Sequence, residues 1–210
     1  MQISLRLAEL LSSRLCHDLV TPIGAINTGL ELFQEAVPNV SKESEEILNL
    51  IQQSAQTASA RASFFRVAFG SNGERVSLDE ARQLIDNYFL RSKMVFEWKE
   101  PFQKDLTLVR WGRLLLNAVL WMSECAPRGG TLEISTPSQE NLTLSLNLKA
   151  SSIILHQGTL EAIEGKSSIE ELTPRTISCF LIHFLIKENK WSYTLSNVQA
   201  SSELKLEIKA

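Results

Sequence analysis

Apolar positions between residues 4 and 36 recur at Leu11, Leu15, Leu19, Ile23, Ile26, Leu30 and Phe33. Steps of three and four draw one stripe along a single long helix. Pro38 and Asn39 interrupt the pattern, and Ser41 is placed to cap the helix that follows. From 42 to 69 the sequence Leu48, Ile51, Ala55, Ala58, Ala62, Phe65, Phe69 alternates steps of three and four, which is a heptad seam. Two long helices joined by a short turn make an antiparallel hairpin. Two helices cannot surround a core, but two copies can, as a four-helix bundle. A homodimer is therefore expected, with packing of the hairpin on the rest of its own chain as the alternative.

Gly70-Ser71-Asn72-Gly73 reads as a linker, and beyond it the texture becomes mixed. The pattern predicts a helix at 78–91, a strand at 93–99 and a helix at 107–125. After an Arg128-Gly129-Gly130 turn come strands at 131–136 and 141–149, then a short helix at 157–164 and a helix at 174–188. A final hairpin occupies 191–198 and 202–209, where Leu204, Leu206 and Ile208 alternate with Lys205, Glu207 and Lys209. The expected class is α+β: a helical hairpin over 1–70 followed, over 75–210, by an α/β sandwich with helices on one face of a mixed sheet.

Composition narrows the function classes. Of 210 residues, 44% are hydrophobic and 21% charged, and the formal net charge is −3. That is a globular balance, and it lacks the basic surface that a nucleic-acid binder needs. Cys16, Cys125 and Cys179 are odd in number and far apart, so neither a disulfide framework nor a zinc site is expected. The first residues are broken by charge rather than forming the apolar run of a signal peptide. The longest apolar runs are too short to cross a bilayer. The expectation is a cytoplasmic protein without a membrane or nucleic-acid partner.

The candidate chemistry lies in Cys16-His17-Asp18-Leu19-Val20-Thr21-Pro22. At about 100° per residue, His17 falls opposite the stripe centred on Leu15, with Thr21 and Gly24 on its own side. A nucleophile that must meet another protein needs this placement, and Gly24 leaves the backbone bare for a docked loop. Asp18 can bond one imidazole nitrogen, fix the tautomer and leave the other nitrogen nucleophilic. Pro22 removes the N–H that would bond the carbonyl of Asp18, at a cost of roughly 3 kcal/mol in a helix interior.

His17-Asp18-x-x-x-Pro22 resembles the phosphoacceptor box of dimeric two-component histidine kinases. The wider stretch from Ser13 to Ile26, with Ala60-Arg61-Ala62-Ser63-Phe64-Phe65-Arg66-Val67-Ala68-Phe69-Gly70, is similar to ChpT-type histidine phosphotransferases of alphaproteobacteria. The resemblance implies a dimeric hairpin followed by a degenerate histidine-kinase-ATPase-like sandwich that no longer uses ATP. It implies phosphoryl transfer from the receiver domain of a hybrid histidine kinase to response regulators. His17 would be the phosphoacceptor and Asp18 its orienting acid. A receiver that reaches His17 is expected to lie along the helix face of Arg14, Thr21 and Gly24, near the bend at Pro22, which makes these four the partner-docking residues. Thr21 also stands where some relatives of the kinases place a residue that directs water for dephosphorylation. No cofactor of its own is implied, because the receiver brings the Mg²⁺.

Kinase ATP sites use an Asn-x-x-x-Asn helix face, an Asp-x-Gly-x-Gly loop and a later glycine-rich loop. Here Asn117 resembles the end of the first box, but Arg113 occupies the earlier Asn position, and neither glycine loop is present. Backbone N–H groups of such loops wrap the phosphates, so no nucleotide-binding residues are assigned, and Asn117 reads as a leftover or capping residue. His156 and His183 are isolated, His183 as a packed or rim residue. Trp98, Trp111, Trp121 and Trp191 read as core or interface. Two other readings stay open: an autophosphorylating histidine kinase with a divergent ATP site, and a non-catalytic dimeric scaffold.

Overall fold

The computed structural model describes residues 2–36, 42–70, 76–99, 111–137, 142–198 and 202–210. Helices α1 (Gln2–Ala36) and α2 (Lys42–Ala68) form the hairpin, with Pro22 inside α1. The expected turn at Pro38 and Asn39 and the cap at Ser41 fall outside the described residues, as does most of the linker after Gly70.

The rest of the chain runs α3 (Leu78–Tyr88), β1 (Met94–Trp98), α4 (Trp111–Glu124), β2 (Gly130–Ser135) and β3 (Thr143–Lys149). It continues through α5 (Thr159–Ile163), α6 (Ile177–Asn189), β4 (Ser192–Val198) and β5 (Glu203–Lys209). The five strands lie in the order β1-β2-β3-β5-β4. β1 and β2 are parallel and the other pairs antiparallel, giving the mixed sheet of an α+β protein. The strand register places Leu132 opposite Leu148 and Leu148 opposite Leu204, with Ile134, Leu146 and Leu206 forming the next row. All six are fully buried. Polar residues alternate with them on the open face, as expected of a sheet covered on one side.

Two features tie hairpin to sandwich. Phe64 and Phe65, near the end of α2, are buried against half-buried Tyr88 and buried Phe89, at ring separations of 4.5 Å (Phe64–Tyr88) and 5.6 Å (Phe65–Tyr88). The end of α2 is also capped from α4. Arg113 Nε and Asn117 Nδ2 donate to the carbonyl of Ala68 at 3.1 and 3.0 Å, and Arg113 Nη2 donates to that of Phe69 at 3.3 Å. These carbonyls are among the orphans every helix leaves at its C-terminus. The two residues at the kinase-box positions thus serve a structural purpose, and Asn117 is the capping residue that its sequence context suggested.

The seam of α2 divides. Leu48, Ala55 and Ala62 are exposed in the protomer, whereas Phe65 is buried against the sandwich. On α1 the buried line is Leu10, Arg14, Pro22 and Gly29, and Ile23 and Leu30 of the expected stripe are exposed. The hairpin closes on small residues: a Cβ on Gly29 would lie 2.6 Å from Ile51.

Candidate active site

His17 projects from the middle of α1, its side chain 84% exposed. Its Nδ1 lies 2.8 Å from Oδ1 of Asp18, which is itself only 13% exposed. With the proton on Nδ1, the carboxylate accepts it and the Nε2 lone pair is left pointing to solvent. The geometry puts a carboxylate within hydrogen-bond reach of one ring nitrogen and leaves the other open.

Asp18 does not hold this position alone. Its other oxygen, Oδ2, accepts from Arg14 Nε at 3.1 Å and lies 3.4 Å from the Tyr88 hydroxyl. Arg14 reaches further, donating through Nη2 to Glu124 at the end of α4 and through Nη1 to the carbonyl of Pro174 at 3.4 Å. Burial works against the charge of Arg14, yet Glu124 and then Asp18 outweigh it and hold the guanidinium above its ordinary range. Burial raises Tyr88, with Asp18 adding to it, so the phenol stays protonated and can donate. Burial also raises Glu124, against the pull of Arg14. Arg61 of α2 donates to the backbone carbonyl of Asp18 and lies over the Tyr88 ring, 5.9 Å from its centroid.

The residues assigned to partner docking separate into two groups. Thr21 and Gly24 are exposed, and a Cβ on Gly24 would meet nothing within 4 Å. Arg14 and Pro22 are buried, which corrects their assignment to a partner-facing surface. Arg14 is consumed by Asp18, Glu124 and Pro174, and Pro22 lies on the same buried line of α1. The helical count erred because it centred the inward face on Leu15, when the buried line runs through a charged residue that the pattern scored as surface.

Between α1 and the sandwich lies a cleft of about 1250 Å³. Its walls include His17 and Asp18 on one side and His156, Lys166 and Arg175 on the other. Tyr88, Glu124 and Pro174 carry no signal in the sequence, and Arg61 enters it only as part of the stretch of similarity at the end of α2. Among the described residues, no group of three or more His, Cys, Asp or Glu is placed to hold a metal ion. No described helix is long and apolar enough to cross a membrane. His183 bonds the carbonyl of Ile163 at 3.1 Å through Nδ1 and sits against Gly165, so it is a packed histidine.

Residues 78–200 match the family model described as histidine phosphotransferase C-terminal domain. Over 134 residues, 62% of this chain, the sequence is 39% identical to the protein phosphotransferase ChpT of Brucella abortus (strain 2308). That match spans 61% of the relative's length. A solved bacterial phosphotransferase superposes with a TM-score of 0.81 at 29% identity, covering 98% of this chain and 96% of that one. The likeness therefore runs through hairpin and sandwich together, and since the family model alone accounts for more than half of its residues, the chain belongs to the histidine phosphotransferase family that this C-terminal domain defines.

Proposed function

We propose that the protein is a cytoplasmic phosphorelay carrier that takes a phosphoryl group onto His17 from the receiver domain of a hybrid histidine kinase and passes it to the aspartates of response regulators. The observation that carries this reading is the exposed His17 imidazole with its Nδ1 on the carboxylate of Asp18. The lone pair of Nε2 attacks the phosphorus of an aspartyl phosphate in line. The bond from phosphorus to the aspartyl oxygen breaks, and the receiver carboxylate leaves with the electron pair. Positive charge grows on the imidazole as the N–P bond forms, and the Asp18 carboxylate, 2.8 Å away, stabilises it through the Nδ1 proton. The reverse sequence delivers the group to the next receiver. The receiver brings the Mg²⁺ and the cationic side chain that stabilise the phosphoryl oxygens, so this chain supplies nucleophile and placement alone, which suits a reaction governed by positioning.

The homodimer belongs to the same proposal. Ile23 and Leu30 of α1 and Leu48 of α2 are each close to half exposed in the protomer, beside exposed Ala55 and Ala62. A two-fold bundle would cover them. Docking would use Thr21, Gly24 and the cleft that His17 overlooks, with the sandwich as its far wall. The use of Asn117 and Arg113 as α2 caps supports a sandwich that does not bind ATP.

The experiment is phosphoryl transfer from a phosphorylated receiver domain. Wild-type protein should become labelled and His17→Ala should not, while the two melt within a few degrees, since truncation of an exposed side chain changes stability by about 0.5 kcal/mol or less. Label arriving from ATP alone would establish the kinase reading instead. No label from any receiver would leave a scaffold.

A further inference from the structure

We propose that Glu124, acting through Arg14, is a positioning residue for the His17 nucleophile: the sandwich sets the imidazole tautomer of the hairpin. This rests on the relay reading only for its consequence in transfer; the tautomer itself is independent of any phosphate.

The chain of contacts is short and each link is directional. Glu124 accepts from Arg14 Nη2, Arg14 Nε donates to Asp18 Oδ2 at 3.1 Å, and Asp18 Oδ1 faces His17 Nδ1 at 2.8 Å. A guanidinium is a planar fork whose donors are fixed relative to one another. With Nη2 anchored on Glu124, and Nη1 more loosely on the Pro174 carbonyl at 3.4 Å, the direction of Nε is set as well. Arg14 is 7% exposed, so water cannot replace a lost partner cheaply, and a donor left bare there would move to find another. Once Nε turns away, Tyr88 at 3.4 Å is the one remaining partner of Oδ2 among the described residues. The carboxylate is then free to rotate off the imidazole. A neutral histidine without an acceptor at Nδ1 favours its Nε2–H form, and that form has no lone pair on the exposed nitrogen.

Glu124 lies in the last turn of α4, 110 residues beyond Arg14. It touches no reacting atom, and its carboxylate is 24% exposed with Arg14 as its bonded partner. Burial disfavours the Glu124 charge, so the pair is costly to maintain unless the arrangement it fixes is used. A purely adhesive contact between hairpin and sandwich would be better made of apolar side chains.

The test uses Glu124→Met, which keeps volume and helix propensity but removes the acceptor, Glu124→Ala, and Glu124→Gln, which restores an acceptor oxygen. The chain has three histidines, so long-range ¹H–¹⁵N spectra of labelled protein resolve each ring, and His17→Ala assigns the one of interest. Phosphoramidate is the phosphoryl donor: its P–N bond breaks, ammonia leaves, and the N–P bond forms at His17 Nε2 without a receiver. Wild type should show the Nδ1–H tautomer. Glu124→Met should show Nε2–H populated and labelling slowed about tenfold, the size of effect expected of a group one step behind a functional side chain. Glu124→Gln should recover both readouts, which a loss of packing alone would not predict. If Glu124→Ala fails to fold, Glu124→Met decides. Wild-type tautomer and wild-type labelling rate in Glu124→Met overturn the proposal. A wild-type protein that shows the tautomer dependence but takes no phosphoryl group from a receiver would sustain this proposal and remove the relay reading.

Discussion

The guanidinium of Arg61, on the second helix of the hairpin, donates to the backbone carbonyl of Asp18, the carbonyl that Pro22 leaves without its helical partner. A proline at position i deprives the carbonyl at i−4 of its N–H, and here a side chain from the neighbouring helix replaces it. The replacement sits at the backbone of Asp18, whose carboxylate faces His17, so the break in α1 and the candidate site share one repair. Arg61→Met keeps the stem of the side chain and removes the donor. It should destabilise the protein by about 1–3 kcal/mol, the range for a lost bond to a charged group, and lower the melting temperature by several degrees. An unchanged melting curve would show that solvent satisfies the Asp18 carbonyl equally well.

Dimerisation is expected through the exposed residues of the hairpin rather than through the whole heptad seam. Ala62 is exposed, whereas Phe65, one step further along the seam, is buried inside the protomer. In a two-fold interface a substitution appears twice, so Ala62→Glu brings two carboxylates into an apolar contact, at several kcal/mol each even after relaxation. Light scattering at micromolar concentration should give a dimer mass for wild type and a monomer mass for Ala62→Glu, with unchanged circular dichroism in the sandwich. A monomeric wild type would remove the four-helix bundle.

Much of this architecture is legible in the sequence because it rests on local periodicity. Leu204, Leu206 and Ile208 point inward as their alternation requires, and the ten helix and strand ranges after residue 42 fall within a few residues of where hydrophobic patterning places them. His17 is exposed for the same reason: it stands off the apolar stripe. What pattern cannot deliver is a polar residue used as core. Arg14 is 7% exposed and lies on the inward line of α1, but a charge in a helical count always registers as surface. Tyr88 and Glu124 stand 70 and 106 residues from Asp18 and are brought to it by packing alone. No spacing rule in the sequence marks them, and their neighbours Asn87 and Ser123 would look equally plausible.

On the open face of the sheet, Glu133 sits between Lys149 at 3.0 Å and Lys99 at 3.2 Å, bridging three strands. Lys149, then Lys99, hold its carboxyl well down, to about 2. An acid whose folded pKa lies below its unfolded value, about 4.3, stabilises the fold above that unfolded value and loses the contribution as pH falls towards the folded one. Glu133→Gln should therefore be less stable than wild type at pH 7, with the difference shrinking between about pH 5 and pH 2. The pair partners are surface lysines on the open face, each close to half exposed, so solvent screening keeps the effect below about 1 kcal/mol and added salt should reduce it. Urea midpoints for the two proteins at pH 7 and pH 3 measure this, and a difference that grows on acidification would contradict it.

Gly24 is where docking can be tested without disturbing either the core or the nucleophile. A side chain there meets nothing within 4 Å in the protomer, and Thr21 beside it is likewise exposed. In a helix, leucine is preferred over glycine by up to about 1 kcal/mol, so Gly24→Leu should fold as well as wild type or slightly better. In the proposed relay, a receiver that brings its aspartate to His17 would lay its surface on this face, since Gly24 lies two helical turns along α1 on the same side. The added isobutyl group would hold that surface off. Transfer from a phosphorylated receiver should then slow about tenfold, the loss that small misplacements of reacting groups readily produce. Labelling by phosphoramidate, which needs no docked protein, should proceed at the wild-type rate. The pair of measurements separates access from reactivity: slowing in both would mean that Gly24→Leu disturbs His17 itself, and slowing in neither would place the partner off this face.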